Sequence, residues 1–203
     1  MSSYAAIANR AAIAVGTSAR LTAPGDNTVL GRAVAAVWDI ERRAALRDGA
    51  WNFAVKRASL PALAAVPAHG YDAQFQLPSD SLKLLRVDGY QRLRYRVEGN
   101  RVLADTGGPL DVLYAADITE PAQFDAAFTE AFALRLACAI GPRIAGSTFD
   151  KANTWNQYQR ELSLARGADA LEDPPREQEE SDWVLERMNG TGGVFFAGWV
   201  DGG

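Results

Sequence analysis

Between Phe124 and Gly146 the sequence reads FDAAFTEAFALRLACAIGPRIAG, with apolar residues on nearly every side of a helix instead of along one stripe. A helix of that kind has no face for water and must be surrounded by other elements, so the remainder of the chain has to supply its cover. Phe128, Phe132, Leu136 and Ile140 recur four residues apart, while Ala127, Ala131, Leu134 and Cys138 give the adjoining sides mostly small groups that allow close packing. Asp125 is placed to cap the start and Gly146 to end it. Gly141 followed by Pro142 removes a backbone donor and predicts a kink, or a helix in two pieces.

Two helices are expected before it. Ser3 to Val15 is alanine-rich, with Tyr4, Ile7 and the segment Ala11 to Val15 on a loosely apolar face, and Gly16 stops it. The turn cluster Pro24-Gly25-Asp26-Asn27 then supplies an N-cap at Asn27 or Thr28 for a stronger helix over 28–48. Leu30, Val34, Val37, Ile40, Ala44 and Ala45 keep its apolar period, with Arg32, Arg42, Arg43 and Arg47 mostly around the other side and Gly49 at its end. Because Asp39, Glu41 and Asp48 are interspersed with them, these arginines read as a solvated or inter-subunit helix face rather than a nucleic-acid site.

The structure type changes after Gly49. Trp51, Phe53 and Val55 alternate with Asn52, Ala54 and Lys56, the period of a half-buried strand through Leu60. Pro61 and Pro67 mark a linker, and Tyr71, Ala73, Phe75 and Leu77 resume the alternation until Pro78 ends it. Short strands are expected at Leu82–Val87, Leu93–Glu98, Arg101–Ala104 and Leu110–Tyr114, with Gly99-Asn100 as a tight hairpin turn. The insertion over 50–115 therefore reads as one small antiparallel sheet. Beyond the apolar helix, Ser147 is placed to cap a last long helix over 147–171, with Phe149, Ala152, Trp155, Tyr158, Leu162 and Ala165 at helical intervals.

From Glu172 to Glu180 the composition switches to EDPPREQEE, which carries too little apolar surface to fold alone. Residues 172–203 thus form a linker and arm, and Trp183, Phe195, Phe196 and Trp199 at its end want a surface to bury against, either on a partner or on the chain's own sheet. On the first alternative they are the anchors of a docking arm.

The chain offers little patterned chemistry. A net charge of -4 argues against a dedicated nucleic-acid binder, which needs a clustered basic excess. One cysteine, Cys138, excludes an intrachain disulfide and a cysteine zinc site, and its place on the apolar helix makes it a small core residue. The lone His69 has no second histidine or cysteine to share a metal and reads as a surface residue. The N-terminus lacks the basic leader of a signal peptide, and no apolar run reaches the roughly 20 residues that span a membrane, so no membrane insertion is expected. No phosphate-loop, dinucleotide or nucleophile-elbow pattern occurs, and no cofactor is implied. Asp80, Asp88, Asp105, Asp111 and Asp117 lie in loops and at sheet ends, where they could converge on a metal; a small carboxylate-dependent metal enzyme is the alternative they leave open.

Taken in order, Trp51-x-Phe53-Ala54, Arg57, Leu60, Tyr71 to Leu77-Pro78-x-Asp80 and Leu82 to Val87 resemble the head-to-tail adaptor proteins of short-tailed bacteriophages, the tail tubular protein A family. Tyr114-x-x-Asp117, Pro121, Phe124, Phe128, Ala131, Leu136-Ala137 and Gly146-Ser147 are similar to that family's second half, so the resemblance runs from about Leu30 to Leu164. Gly141-Pro142 and the alanine-rich N-terminus depart from the family's pattern. The resemblance implies an α+β fold, a helical bundle with an inserted small antiparallel sheet and an extended C-terminal arm. It also implies a structural rather than enzymatic role: a twelve-subunit ring in the virion between the portal protein and the tail nozzle protein, often carrying tail fibres. Double-stranded DNA passes through such a ring without specific binding. The related adaptor of a long-tailed phage or gene-transfer particle is the neighbouring alternative.

Overall fold

The apolar stretch forms one helix, α3 (Ala126–Ile144), whose start is capped by the Asp125 carboxylate accepting the Phe128 N–H. The computed structural model describes residues 2–49, 51–88 and 93–172, with side chains of the last helix as far as 167. The break expected at Gly141-Pro142 does not occur, because Pro142 lies inside α3 in its last turn. Proline disfavours a helical residue before it largely by striking that residue's Cβ, and Gly141 has none. The lost donor also falls near the helix end, where the Ala145 N–H still reaches the Gly141 carbonyl at 2.9 Å. The missing Cβ has a second use, for the Phe149 ring fills the space it would take.

Three helices cover α3: α1 (Tyr4–Val15), α2 (Val29–Asp48) and α4 (Lys151–Glu172). Ser3 caps α1 and Thr28 caps α2, each through its side-chain oxygen, and Gly16 closes α1 in the left-handed region at φ 84°. Asp150, not Ser147, caps α4: its carboxylate accepts the Asn153 N–H at 2.9 Å, after a short turn over Gly146–Thr148. Aromatic rings join the helices through the interior. Tyr4 meets Trp38 with centroids 4.0 Å apart, Trp38 meets Phe132 at 4.9 Å, and Phe128 meets Phe124 at 4.8 Å and Trp51 at 5.1 Å. Most are tilted or edge-to-face, the arrangement in which ring quadrupoles attract.

The phase of two helices differs from the sequence expectation. On α2 the inward residues are Leu30, Val34, Trp38, Arg42 and Ala45, while Ile40 is 68% exposed. On α4 the buried stripe is Thr154, Tyr158, Leu162 and Ala165, and Ala152 and Trp155 point outward. Trp155 is held there by its own ring contact with Tyr158 at 5.1 Å.

The insertion folds into two three-stranded antiparallel sheets rather than one. In the first, β1 (Val55–Leu60) and β3 (Ser81–Val87) flank β6 (Leu110–Ala116); in the second, β2 (Ala73–Gln76) and β4 (Tyr95–Glu98) flank β5 (Arg101–Ala104). Val55 pairs with Ala115 and Leu60 with Leu110 across β1 and β6. The expected strand start at Trp51 is replaced by a helical turn over Asn52–Ala54, because the Trp51 indole turns into the core and donates to the Ala45 carbonyl at 2.9 Å. Trp51 and Ala54 are both buried, a three-residue spacing that a strand does not give. The Gly99-Asn100 hairpin forms as read, though only Gly99 takes a positive φ, 57°. The first sheet touches α2 through β3 and β6. Helix α4 runs one residue further than expected, to Glu172, and the rest of the arm expected over 172–203 lies outside the described residues.

Phe128 is completely buried among Trp51, Phe53, Phe124 and Phe132. Phe128→Ala is expected to cost about 3–5 kcal/mol of unfolding free energy, measured by urea denaturation. Gly141→Ala is expected to destabilise as well, since the new methyl strikes the Phe149 ring; an unchanged urea midpoint in either variant would contradict this packing.

Candidate functional site

The helix layer and the first sheet are tied together by charge at one place. Asp117 follows β6 directly, and its carboxylate takes hydrogen bonds from two successive arginines of α2: Arg42 through one oxygen, and Arg43 Nε at 2.9 Å through the other. Arg42 is only 1% exposed. Its guanidinium also donates to the Ile118 carbonyl at 2.7 Å and to Asp39 at 3.2 Å. Two carboxylates and a carbonyl thus surround one buried cation, which is the condition for keeping it charged away from water. Arg42 is therefore not part of an inter-subunit face, contrary to the sequence expectation. Helical geometry explains the difference: Arg42 lies four residues after Trp38, on the buried side, while Arg32, Arg43 and Arg47 fall on the exposed side.

Three of the residues quoted for the family resemblance, Asp80, Tyr114 and Asp117, meet at this joint and beside it. Asp80, from Leu77-Pro78-Ser79-Asp80, accepts from Lys56 Nζ of β1 at 2.8 Å and from the Tyr114 hydroxyl of β6 at 3.2 Å, and its carbonyl accepts the Asp117 N–H at 2.7 Å. Tyr114 and Asp117, the ends of Tyr114-x-x-Asp117, thus both connect to Asp80. The hydrogen bond from Lys56, seconded by Tyr114 against the opposing effect of burial, holds the Asp80 carboxyl below its ordinary range. The same bond raises the Lys56 ammonium. Burial, then the Asp80 charge, pushes the Tyr114 phenol up.

A second polar cluster was not legible in the sequence. Arg135 of α3 donates to Glu41 at 2.7 Å and to Asp48, both on α2, and Tyr158 of α4 donates to Asp48 at 2.6 Å. The guanidinium lies 5.4 Å from the centre of the Tyr158 ring and 5.7 Å from that of Trp155. Burial, then the Asp48 carboxylate, raises the Tyr158 phenol far above its ordinary value, so it remains a donor across the working pH range. Arg135 is a charged residue on an otherwise apolar helix, and only the packing of α2 and α4 gives it partners.

The five aspartates considered as metal ligands do not gather. Asp80 is held by Lys56, Asp88 by Arg86 at 2.7 Å, Asp105 by Arg94 at 2.6 Å and Asp117 by the α2 arginines, while Asp111 is exposed on β6. Among the described residues no group of three or more histidine, cysteine, aspartate or glutamate side chains is arranged to hold a metal ion. His69 is exposed. Cys138 is buried and its thiol is pushed up by that burial, the reverse of what a nucleophile needs. No helix among the described residues is long and apolar enough to cross a membrane. Trp183, Phe195, Phe196 and Trp199 lie outside the described residues. What the structure leaves to solvent on α2 is a helix face carrying Arg32, Arg43 and Arg47.

Two outcomes test the joint. Asp117→Ala leaves Arg42 buried with one carboxylate fewer and is expected to cost about 3–5 kcal/mol, whereas Arg42→Met combined with Asp117→Leu is expected to cost less than Asp117→Ala alone in urea denaturation. Because the folded-state pKa of Asp80 is depressed, its contribution to stability is present above the unfolded value of about 3.9 and is lost as pH falls through the lower folded value. Asp80→Asn should therefore flatten the acid limb of the plot of stability against pH; an unchanged limb would show that the Lys56 pair contributes nothing.

No protein-family model matches the chain, and no curated protein matches it either.

Proposed function

We propose that this protein is the head-to-tail adaptor of a short-tailed bacteriophage, a structural subunit that stands twelve to a ring between portal and tail nozzle and prolongs the DNA conduit. One observation carries the reading: five of the residues quoted for the resemblance, Trp51, Phe53, Asp80, Tyr114 and Asp117, sit where the helix layer meets the sheet. Trp51 and Phe53 reach Phe124 and Phe128 in the core, and Asp80, Tyr114 and Asp117 connect β1, β6 and α2. Those positions define a rigid scaffold rather than a reaction centre. The fold is also what the resemblance implies, four helices with an antiparallel β insertion between the second and third.

A scaffold of this kind works by its surfaces. Four of the five aspartates weighed as metal ligands, Asp80, Asp88, Asp105 and Asp117, are engaged by arginine and lysine partners. A net charge of -4 suits a ring through which DNA slides without sticking. The portal, the nozzle and the neighbouring subunit are the partners, and the aromatic arm over 172–203 is the segment assigned to the portal or the neighbour.

Attachment is the experiment. Purified protein added to DNA-filled heads that have a portal but no tail is expected to bind at the portal vertex, visible by negative stain, and to restore nozzle attachment. The free chain is expected to scatter light as a monomer or weak oligomer at micromolar concentration, because ring contacts reinforce one another only on a template. Failure to bind portal-bearing heads would overturn the adaptor role; a stable ring of the pure chain would overturn only the need for a template.

A further inference from the structure

The outer face of α2 is a continuous stripe. Val29, Arg32, Ala36, Ile40, Arg43 and Arg47 are three or four residues apart and share one side of the helix. Val29 at its start is 56% exposed and Ile40, between Arg32 and Arg43, is 68% exposed, so exposed apolar groups interleave with the arginines. Across the helix layer, α1, α3 and α4 enclose an open groove of about 730 Å³. Ile13, Ala14, Ala133 and Leu134 give it an apolar floor, and Arg160 and Glu161 stand at its edge. Ile13 is itself 59% exposed. The two features face opposite ways: on α3 the groove is built on Glu130, Ala133 and Leu134, about half a turn from Phe128, Phe132 and Arg135, which face α2 and its neighbours.

We infer that the α2 stripe of one copy of this chain docks in the α1–α3–α4 groove of the next. The apolar parts match, Val29, Ala36 and Ile40 against Ile13, Ala14 and Leu134. The charges match too. Arg43 and Asp39 are already engaged, with Asp117 and Arg42, but Arg47 is exposed at the end of the stripe and Glu161 stands at the groove edge, so Arg47 can meet Glu161. Arg160 and Glu161 make no ion pair among the described residues, and Arg47 likewise has none to lose. The two faces differ from each other, so the contact is head-to-tail, and repetition of a head-to-tail contact generates a ring when the rotation closes. Its closure into a ring rests on the adaptor reading; the pairwise contact does not. A 20-residue helix is about 30 Å long and 10 Å wide, so the contact covers only a few hundred Å² per partner, roughly half the 800 Å² of a stable pair. That size fits a contact that is weak between free copies.

The test uses the full chain with Cys138→Ala, so that the buried native thiol is absent. One sample carries Ile40→Cys, a second Ile13→Cys, and each is oxidised alone and mixed at the highest soluble concentration. The mixture is expected to form disulfide dimers about tenfold or more faster than either sample alone, and a chain with both substitutions is expected to give a ladder of oligomers. Mixing Ile40→Cys with Val66→Cys, an exposed residue away from both faces, sets the background of random collision. Mixed dimers no faster than that background, or self-dimers of either single variant as fast as the mixture, would overturn the head-to-tail contact. Binding to portal-bearing heads is scored separately: a ladder without head binding keeps the contact and removes the adaptor role, and head binding without mixed dimers does the reverse.

Discussion

The enclosure of α3 is the constraint on which the rest of the structure depends. A helix apolar on all sides gains its stability only when every side is covered, at about 25 cal/mol for each Å² of apolar surface removed from water. α1, α2 and α4 each take a side, and Phe124, Phe53 and Trp51 close the end nearest the sheet. Small residues decide how closely this happens: Ala131, Ala133 and Ala137 let neighbouring backbones approach, and Gly141 lets Phe149 in. The same enclosure explains how Pro142 is tolerated. Surrounding contacts hold the last turn in place after its hydrogen bond is lost, and the residue before it has no Cβ to clash.

Polar chemistry is placed where elements of different kind must be joined. Arg42 and Asp117 connect α2 to the end of β6, and Arg135, Glu41, Asp48 and Tyr158 connect α2, α3 and α4. A buried ion pair adds little net stability compared with apolar groups of the same shape, but breaking it is expensive. Arg42 Nε even lacks a hydrogen-bond partner among the described residues, an uncompensated cost of about 1–3 kcal/mol. What such a joint supplies is orientation, since only one placement of α2 on the sheet satisfies both Asp117 oxygens. If the proposed adaptor role holds, a defined angle between helix layer and sheet matters more to such a subunit than the last increment of stability.

The outward faces of the helix layer carry the exposed apolar groups on which the proposed contact between copies rests. The stripe on α2 and the groove between α1 and α4 look away from each other because both are set by the phase of their helices around α3. Exposed aliphatics such as Val29, Ile40 and Ile13 are a cost to a lone chain in water, and the contact between copies proposed above would remove that cost at each junction.

The sequence by itself determined the local elements and most of their ends. The apolar period marked the four helices of the described residues, Thr28, Asp125 and Gly16 were readable as caps, and the Gly99-Asn100 hairpin and the strand at Arg101–Ala104 were found in place. Each of these depends on residues within a few positions of one another. Only the tertiary structure decided the phase of each helix and the partners of each strand. Arg42 and Arg43 are the same residue type, side by side, yet one is buried and one exposed because Arg42 falls on the side of α2 that Trp38 turns inward, and the Asp117 that both reach lies more than seventy positions away. Ile40 and Trp155 fit an apolar period and still face water, since period does not say which side α3 will occupy. The insertion became two sheets rather than one because β1 pairs with β6, past four intervening strands, and alternation along a strand carries no record of its distant neighbour.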